Sequence, residues 1–309
     1  MRINGLMRNV VLVILLMTAG AAVLRAQVTA DDLRRDIRPK VIDYKTVNGA
    51  TLKLFVFSPG DIAPGDTLTT VVWIHGGGWA GGRPDMFFPH CRYYAARGAV
   101  AISVQYRLFK SGETTVFDCI RDCKSAIRYI RAHAAELGIH TDRIAVMGDS
   151  AGGHLAACLG VMEAFDEPGE DLTVSSAANA MVLYNPVMDL AVESWMKLFA
   201  TTGTVNAEEL AQSASPLNYI GEGEPPAIVL HGFDDTVVPV DQAIAFTRSM
   251  AGRGNRCDLV VYGQTGHAFV VLDYQAPDEM VVRAIRAGDD FLVSLGMLTG
   301  QPTLTAGKQ

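Results

Sequence analysis

The pentapeptide Gly148-Asp149-Ser150-Ala151-Gly152 falls between two segments of opposite character, and this placement constrains the fold more than any other feature. Residues 143–147 read as a short buried strand and residues 151–163 as a helix. A strand that passes into a helix through so short a turn must bring the two backbones close together. Glycines two positions either side of Ser150 allow it, because a Cβ there would clash. The turn places the serine hydroxyl at a helix N-terminus, where backbone N–H groups and the helix dipole favour developing negative charge.

The rest of the chain repeats the same alternation. Strand-like runs occur at 41–47, 51–57, 70–74, 99–104, 143–147, 178–184, 226–231 and 258–262. Helical spacing predicts helices over 84–97, 114–136, 151–163, 239–253 and 277–295. Asn48-Gly49 between the first two runs is a hairpin signal, so those strands are expected to be antiparallel. The expectation is an α/β fold with an eight-stranded, mostly parallel sheet and helices on both faces. At 309 residues, one large domain with a buried core suffices. Two stretches break the pattern. Residues 31–40 form a charged lead-in. Residues 189–223 exceed what a crossover needs and read as a short helical lid insertion over the carboxyl edge of the sheet, where open α/β sheets bind ligands. The polar residues 299–309 are expected to form a flexible tail.

The N-terminus carries Arg2 and Arg8, then the apolar run 10–17, then the small residues 19–22. That order predicts a signal peptide over 1–26, leaving one large domain at 27–298. Cleavage is expected after Ala26, with Ala21 and Ala22 as alternatives. The apolar run falls short of the ~20 residues of a membrane span, so no stable span is expected after cleavage. The implied location is secreted or periplasmic. The net charge of −7 and the lack of a basic tract argue against nucleic acid as a partner. The five cysteines are odd in number, so at least one is unpaired even if export allows disulfides. Cys119 and Cys123 lie one helical turn apart, a poor geometry for a bridge. No metal-ligand spacing and no dinucleotide or phosphate loop is found, so no metal and no cofactor are expected.

A serine nucleophile needs oxyanion donors, a base and an acid. His75-Gly76-Gly77-Gly78 ends the third strand-like run. Consecutive glycines free backbone N–H groups to face a reacting carbonyl, and Gly76, Gly77 and Ala151 are the expected donors. His75 is read as shaping the loop. Among seven histidines, His267 follows the last strand and completes the chain order of serine, acid, histidine. Two adjacent carboxylates, Asp234 and Asp235, follow the strand at 226–231. Either can supply the acid, and an aspartate here also favours turns.

With these residues in hand, the chain resembles the α/β-hydrolase esterases of the hormone-sensitive-lipase-like and bifunctional feruloyl/acetylxylan esterase groups. The resemblance runs from about Asp43 to Leu295. It rests on His75 to Trp79, Gln105-Tyr106-Arg107-Leu108, Asp142 to Ala156, Ser215-Pro216-Leu217, His231 to Pro239 and Gly266-His267-Ala268-Phe269. It implies the α/β-hydrolase fold and a catalytic set of Ser150, Asp235 and His267, since the family's acid is the second aspartate of such a loop. Trp79 resembles the carbohydrate-esterase branch, and the short lead-in at 31–40 leads to the expectation that the large N-terminal cap of many lipase-like members is absent.

The resulting expectation is a secreted serine esterase acting through an acyl-enzyme on Ser150. Its partner would be a small-molecule or oligosaccharide ester with a short-chain or aromatic acyl group, such as acetyl or feruloyl. Trp79, Trp195 and Phe199 are candidate substrate contacts, although Trp195, Met196 and Phe199 would equally pack the insertion onto the sheet. A serine peptidase of the same fold is the competing enzyme reading. A non-catalytic secreted binding module is the other alternative, and it would be expected to lack one of the three reacting groups.

Overall fold

The computed structural model describes residues 27–35, 38–60, 62–63, 65–199 and 206–305. The leader expected over 1–26 lies outside the described residues.

The hairpin forms as the Asn48-Gly49 signal requires. Strands β1 (Lys40–Val47) and β2 (Ala50–Phe57) pair antiparallel, and both turn residues have positive φ, 50° and 77°. Consecutive left-handed residues match the twist of the strands they join. The sheet continues with β3 (Leu68–Ile74), β4 (Val100–Val104), β5 (Ile139–Asp149), β6 (Ala180–Tyr184), β7 (Ala227–Gly232) and β8 (Cys257–Tyr262). Its order is β1-β2-β4-β3-β5-β6-β7-β8. Only β2 runs against its neighbours, and every pair from β4 to β8 is parallel. Strands β4, β6 and β7 are buried at every position, which explains their unbroken apolar character.

Six helices of more than one turn are described. They are α1 (Phe88–Ala96), α2 (Val116–Ala132), α3 (Ser150–Val161), α4 (Ala207–Ser213), α5 (Val240–Gly252) and α6 (Asp278–Ser294). Helix α2 starts at a capping box. The Thr115 hydroxyl accepts the N–H of Asp118, and the Asp118 carboxylate accepts the N–H of Thr115. Its apolar stripe puts Ile120, Ile127 and Ile130 fully inside, each contributing about 1.5–3 kcal/mol of burial. Helices α2, α3 and α5 cover one face of the sheet. Helices α1 and α6 cover the other. This is the α/β-hydrolase arrangement.

The insertion between β6 and β7 holds a one-turn helix at Glu193–Met196, then α4, then a 3-10 turn at Pro216–Tyr219. It is fastened to the body by polar contacts. The Gln242 side chain of α5 accepts the N–H groups of Met188 and Asp189, and within the insertion the Ser215 hydroxyl accepts that of Leu190.

Both ends of the described chain pack more firmly than their composition suggested. Residues 299–309 read as a flexible tail, and 306–309 of it lie outside the described residues. In the described part, Leu304 and Thr305 instead pair in parallel with Val28 and Thr29, and Leu304 is fully buried. The buried Arg97 guanidinium donates to the carbonyls of Thr299 and Gly300 while pairing with Asp289. Buried Pro302 and Leu304, with the carbonyls of Thr299, Gly300, Thr303 and Leu304 as acceptors, hold a segment that reads as polar overall. In the lead-in, Ala30 and Leu33 are buried, and Arg34 pairs with Asp273 and Asp278 at 2.6 and 2.7 Å. All five cysteines are free, and all but Cys257 are buried.

Candidate active site

Ser150 stands at the end of β5 and opens α3, with φ of 52°. A non-glycine residue holds this left-handed conformation only where its surroundings enforce it. They do so here by close packing. A Cβ on Gly152 would overlap the carbonyl oxygen of Ile74 and lie 2.6 Å from that of His75. A Cβ on Gly148 would overlap the backbone of Gly152. The turn is therefore pressed against the end of β3, as the spacing of its glycines requires.

The Ser150 hydroxyl lies 2.8 Å from Nε2 of His267, and Nδ1 of His267 lies 2.7 Å from Oδ2 of Asp235. With an ionised carboxylate at Nδ1, that nitrogen carries the proton, and Nε2 accepts from the serine. Asp235 is buried, whereas its neighbour Asp234 is exposed. The structure thus brings Asp235, not Asp234, to the histidine. Oδ1 of Asp235 accepts the N–H groups of Val237 and Val238 at 2.9 Å each. Burial alone would raise this carboxyl. Hydrogen bonds from His231, His267 and Val238 outweigh it and hold the group well below the usual carboxylate range. The two loops pack tightly, because a Cβ on Gly232 would lie 2.6 Å from the carbonyl oxygen of Gly266. The His267 loop is also tied to α1, where the His90 ring donates to the carbonyl of Val270 at 2.8 Å.

The glycine loop differs in detail from the expectation. The N–H of Gly76 donates to Oδ1 of Asp149 at 2.7 Å, so it is not available as an oxyanion donor. The N–H groups of Gly77, Gly78 and Ala151 have no acceptor among the described residues. Gly78, at φ of 61°, was missed because the three glycines are equivalent in sequence. The carboxylate next to Ser150 was the available clue, since a buried aspartate with no ion-pair partner seeks a backbone donor. His75 shapes the loop. Its Nδ1–H donates to the carbonyl of Gly76 at 2.8 Å, and the Tyr106 hydroxyl donates to the carbonyl of His75 at 2.8 Å. Burial pushes the His75 imidazole down to about 4, so the ring is neutral.

The candidate substrate contacts are corrected in two of three cases. Trp79 is fully buried and donates its Nε1–H to Nδ1 of His154 at 3.1 Å. Nε2–H of His154 in turn donates to the carbonyl of Ala214 at 2.8 Å. This chain links the glycine loop, α3 and the insertion, so Trp79 is a packing residue. Phe199 is 4 % exposed and stands edge-on to Phe117. Trp195 is half-buried, edge-on to Trp79 at 5.5 Å. Among the described residues, no group of His, Cys, Asp or Glu side chains is arranged to hold a metal ion. No described helix is long and apolar enough to cross a membrane.

A serine held in a strained turn and hydrogen-bonded to an imidazole backed by a buried carboxylate is chemically poised. The imidazole can take the hydroxyl proton as the oxygen attacks, and the carboxylate stabilises the resulting imidazolium.

Comparison with known proteins gives a consistent picture. The family model described as BD-FAE matches residues 62–250. Esterase LipQ of Mycobacterium tuberculosis is 30% identical over 247 residues, which is 75% of this chain and 56% of LipQ. The chain spans about half the length of the curated relatives it matches. Two solved structures cover nearly their whole length. Thermogutta terrifontis esterase 2 phosphoramylated by tabun has 39% identity and a TM-score of 0.78, covering 85% of this chain and 97% of that one. The propionate-bound form has 39% identity and a TM-score of 0.78, covering 85% and 96%.

Proposed function

Because the chain belongs to the BD-FAE family of α/β-hydrolase carboxylesterases, we propose that it hydrolyses short-chain or aromatic carboxylic esters through an acyl-enzyme on Ser150. The observation that carries this reading is the hydrogen-bonded row from Ser150 through His267 to Asp235. His267 takes the serine proton as Oγ attacks the ester carbonyl, then gives it to the departing alcohol. A water molecule, deprotonated by the same ring, releases the acid. Gly77, Gly78 and Ala151 donate to the carbonyl oxygen as it becomes an oxyanion. Each such donor is worth about 3 kcal/mol in the transition state.

The proposed substrate is an acetyl or feruloyl ester on a carbohydrate. This finer reading is supported by the family match and by the basic, apolar and small-residue order of the first 26 residues, which suits export. The peptidase and binding-module readings have no observation in their favour. A panel of acetylated xylan, feruloylated sugar and p-nitrophenyl acyl esters of increasing length tests the proposal. Turnover of a short p-nitrophenyl ester and of at least one sugar ester is expected. Activity on simple esters alone would overturn the carbohydrate assignment, and activity on none would overturn the esterase assignment.

A further inference from the structure

His231 is the only titratable side chain in β7, a strand buried along its whole length. Its Nε2 lies 2.8 Å from the carbonyl oxygen of Val238 and 3.4 Å from Oδ2 of Asp235. A carbonyl can only accept, so Nε2 carries the ring proton and donates it to Val238, with the Asp235 carboxylate oxygen beside the same N–H. Nδ1 of the same ring is buried and has no partner among the described residues. Burying an imidazole in an apolar strand is unfavourable unless hydrogen bonds compensate. The one hydrogen bond of this ring among the described residues goes to the loop that carries Asp235.

Asp235 is in consequence held on both oxygens. Oδ1 takes two backbone N–H groups. Oδ2 lies within reach of two imidazoles, His267 at 2.7 Å and His231 at 3.4 Å. The second imidazole has two effects on the first. It resists rotation of the carboxylate away from Nδ1 of His267. It also occupies part of the lone-pair density on Oδ2, which keeps the Nδ1 proton on His267 when the imidazolium forms.

We propose that His231 is a positioning residue for the hydrolytic reaction, acting on His267 through the Asp235 carboxylate. The proposal rests on the reading of Ser150, His267 and Asp235 as the reacting groups. It differs from a purely structural role, in which His231 would only anchor the Val238 carbonyl and shape the loop.

A double-mutant cycle on the full chain separates the two, read by hydrolysis of p-nitrophenyl acetate with folding checked by near-UV circular dichroism. His231→Phe should lower kcat by about 10- to 100-fold with KM within about twofold. His231→Gln, whose amide N–H reaches the place of Nε2–H, should recover kcat to within about fivefold of wild type. In an Asp235→Asn background, His231→Phe should change kcat by less than about twofold, because the group it acts through is already disabled. An equal loss in both backgrounds would show a packing role alone and overturn the proposal. So would a loss confined to KM. If the phenylalanine variant does not fold, His231→Asn takes its place, since its amide is too short to reach. Equal kcat for the Asn and Gln variants would then overturn the proposal. Full activity of Ser150→Ala would instead remove the underlying reading, a result distinct from additivity in the cycle.

Discussion

The backbone N–H of Gly76 donates to the side chain of Asp149 at 2.7 Å, joining the glycine loop to the residue before the serine. Burial pushes the Asp149 carboxyl up to about 6, against the opposing pull of that N–H. A carboxyl raised from 3.8 in the folded state stabilises the fold fully below its unfolded value, and this contribution is lost as pH rises through 6. The span is worth about 3 kcal/mol. Asp149→Asn keeps an acceptor for Gly76 but carries no charge. Denaturant titrations should find it more stable than wild type at pH 8, with the advantage gone at pH 4. No difference at pH 8 would contradict the burial argument.

Three buried histidines act in the opposite direction. Burial pushes His75, His90 and His154 each down to about 4. The unfolded chain binds these protons near pH 6.5 and the folded chain only near 4. Their contribution is therefore present above pH 6.5 and lost as pH falls to 4. Three such groups outweigh one Asp149. Thermal unfolding of wild type should shift to lower temperature steadily from pH 6.5 to 4, and a constant or rising midpoint would refute this.

Gly152→Ala should be among the most damaging single changes. The added methyl would meet the carbonyls of Ile74 and His75, which belong to rigid backbone. A cost of about 3–5 kcal/mol is expected, together with loss of esterase activity, because relief requires moving the turn that strains Ser150. Equilibrium unfolding and an ester assay on one preparation check both.

Asp289 neutralises Arg97, and both side chains are inaccessible to solvent. Asp289→Ala leaves that guanidinium buried and unpaired, with an expected cost of about 3–5 kcal/mol. Because Arg97 also holds the carbonyls of Thr299 and Gly300, limited proteolysis should cut the C-terminal segment faster in this variant.

The strand–helix alternation was legible because each central strand is buried on both faces and so reads as a plain apolar run. Asn48-Gly49 announced its own turn, and Ser150 announced its own strain through its flanking glycines. Sequence spacing could not rank Asp234 against Asp235. Burial decides it, and burial depends on how the loop after β7 folds under the histidine loop. The choice among Gly76, Gly77 and Gly78 was hidden for a similar reason, since it turns on one hydrogen bond to Asp149 from a distant part of the chain. His231 closes the strand-like run at 226–231, and its relation to Asp235 appears only when the loop curls back. Trp79 and Phe199 were candidate substrate contacts because aromatic residues suit both pockets and packing, and only their burial separates the two. The docking of residues 299–305 rests on Leu304 and Arg97, a pair too far apart in sequence to be read together.

The most direct test of the central claim is covalent trapping with paraoxon followed by peptide mass mapping. The account predicts one diethylphosphoryl adduct per chain, located on Ser150, with ester hydrolysis lost in step with labelling. Ser150→Ala should neither label nor hydrolyse while keeping its thermal stability within about 1 kcal/mol. An adduct on another residue, or hydrolysis persisting in Ser150→Ala, would contradict the account.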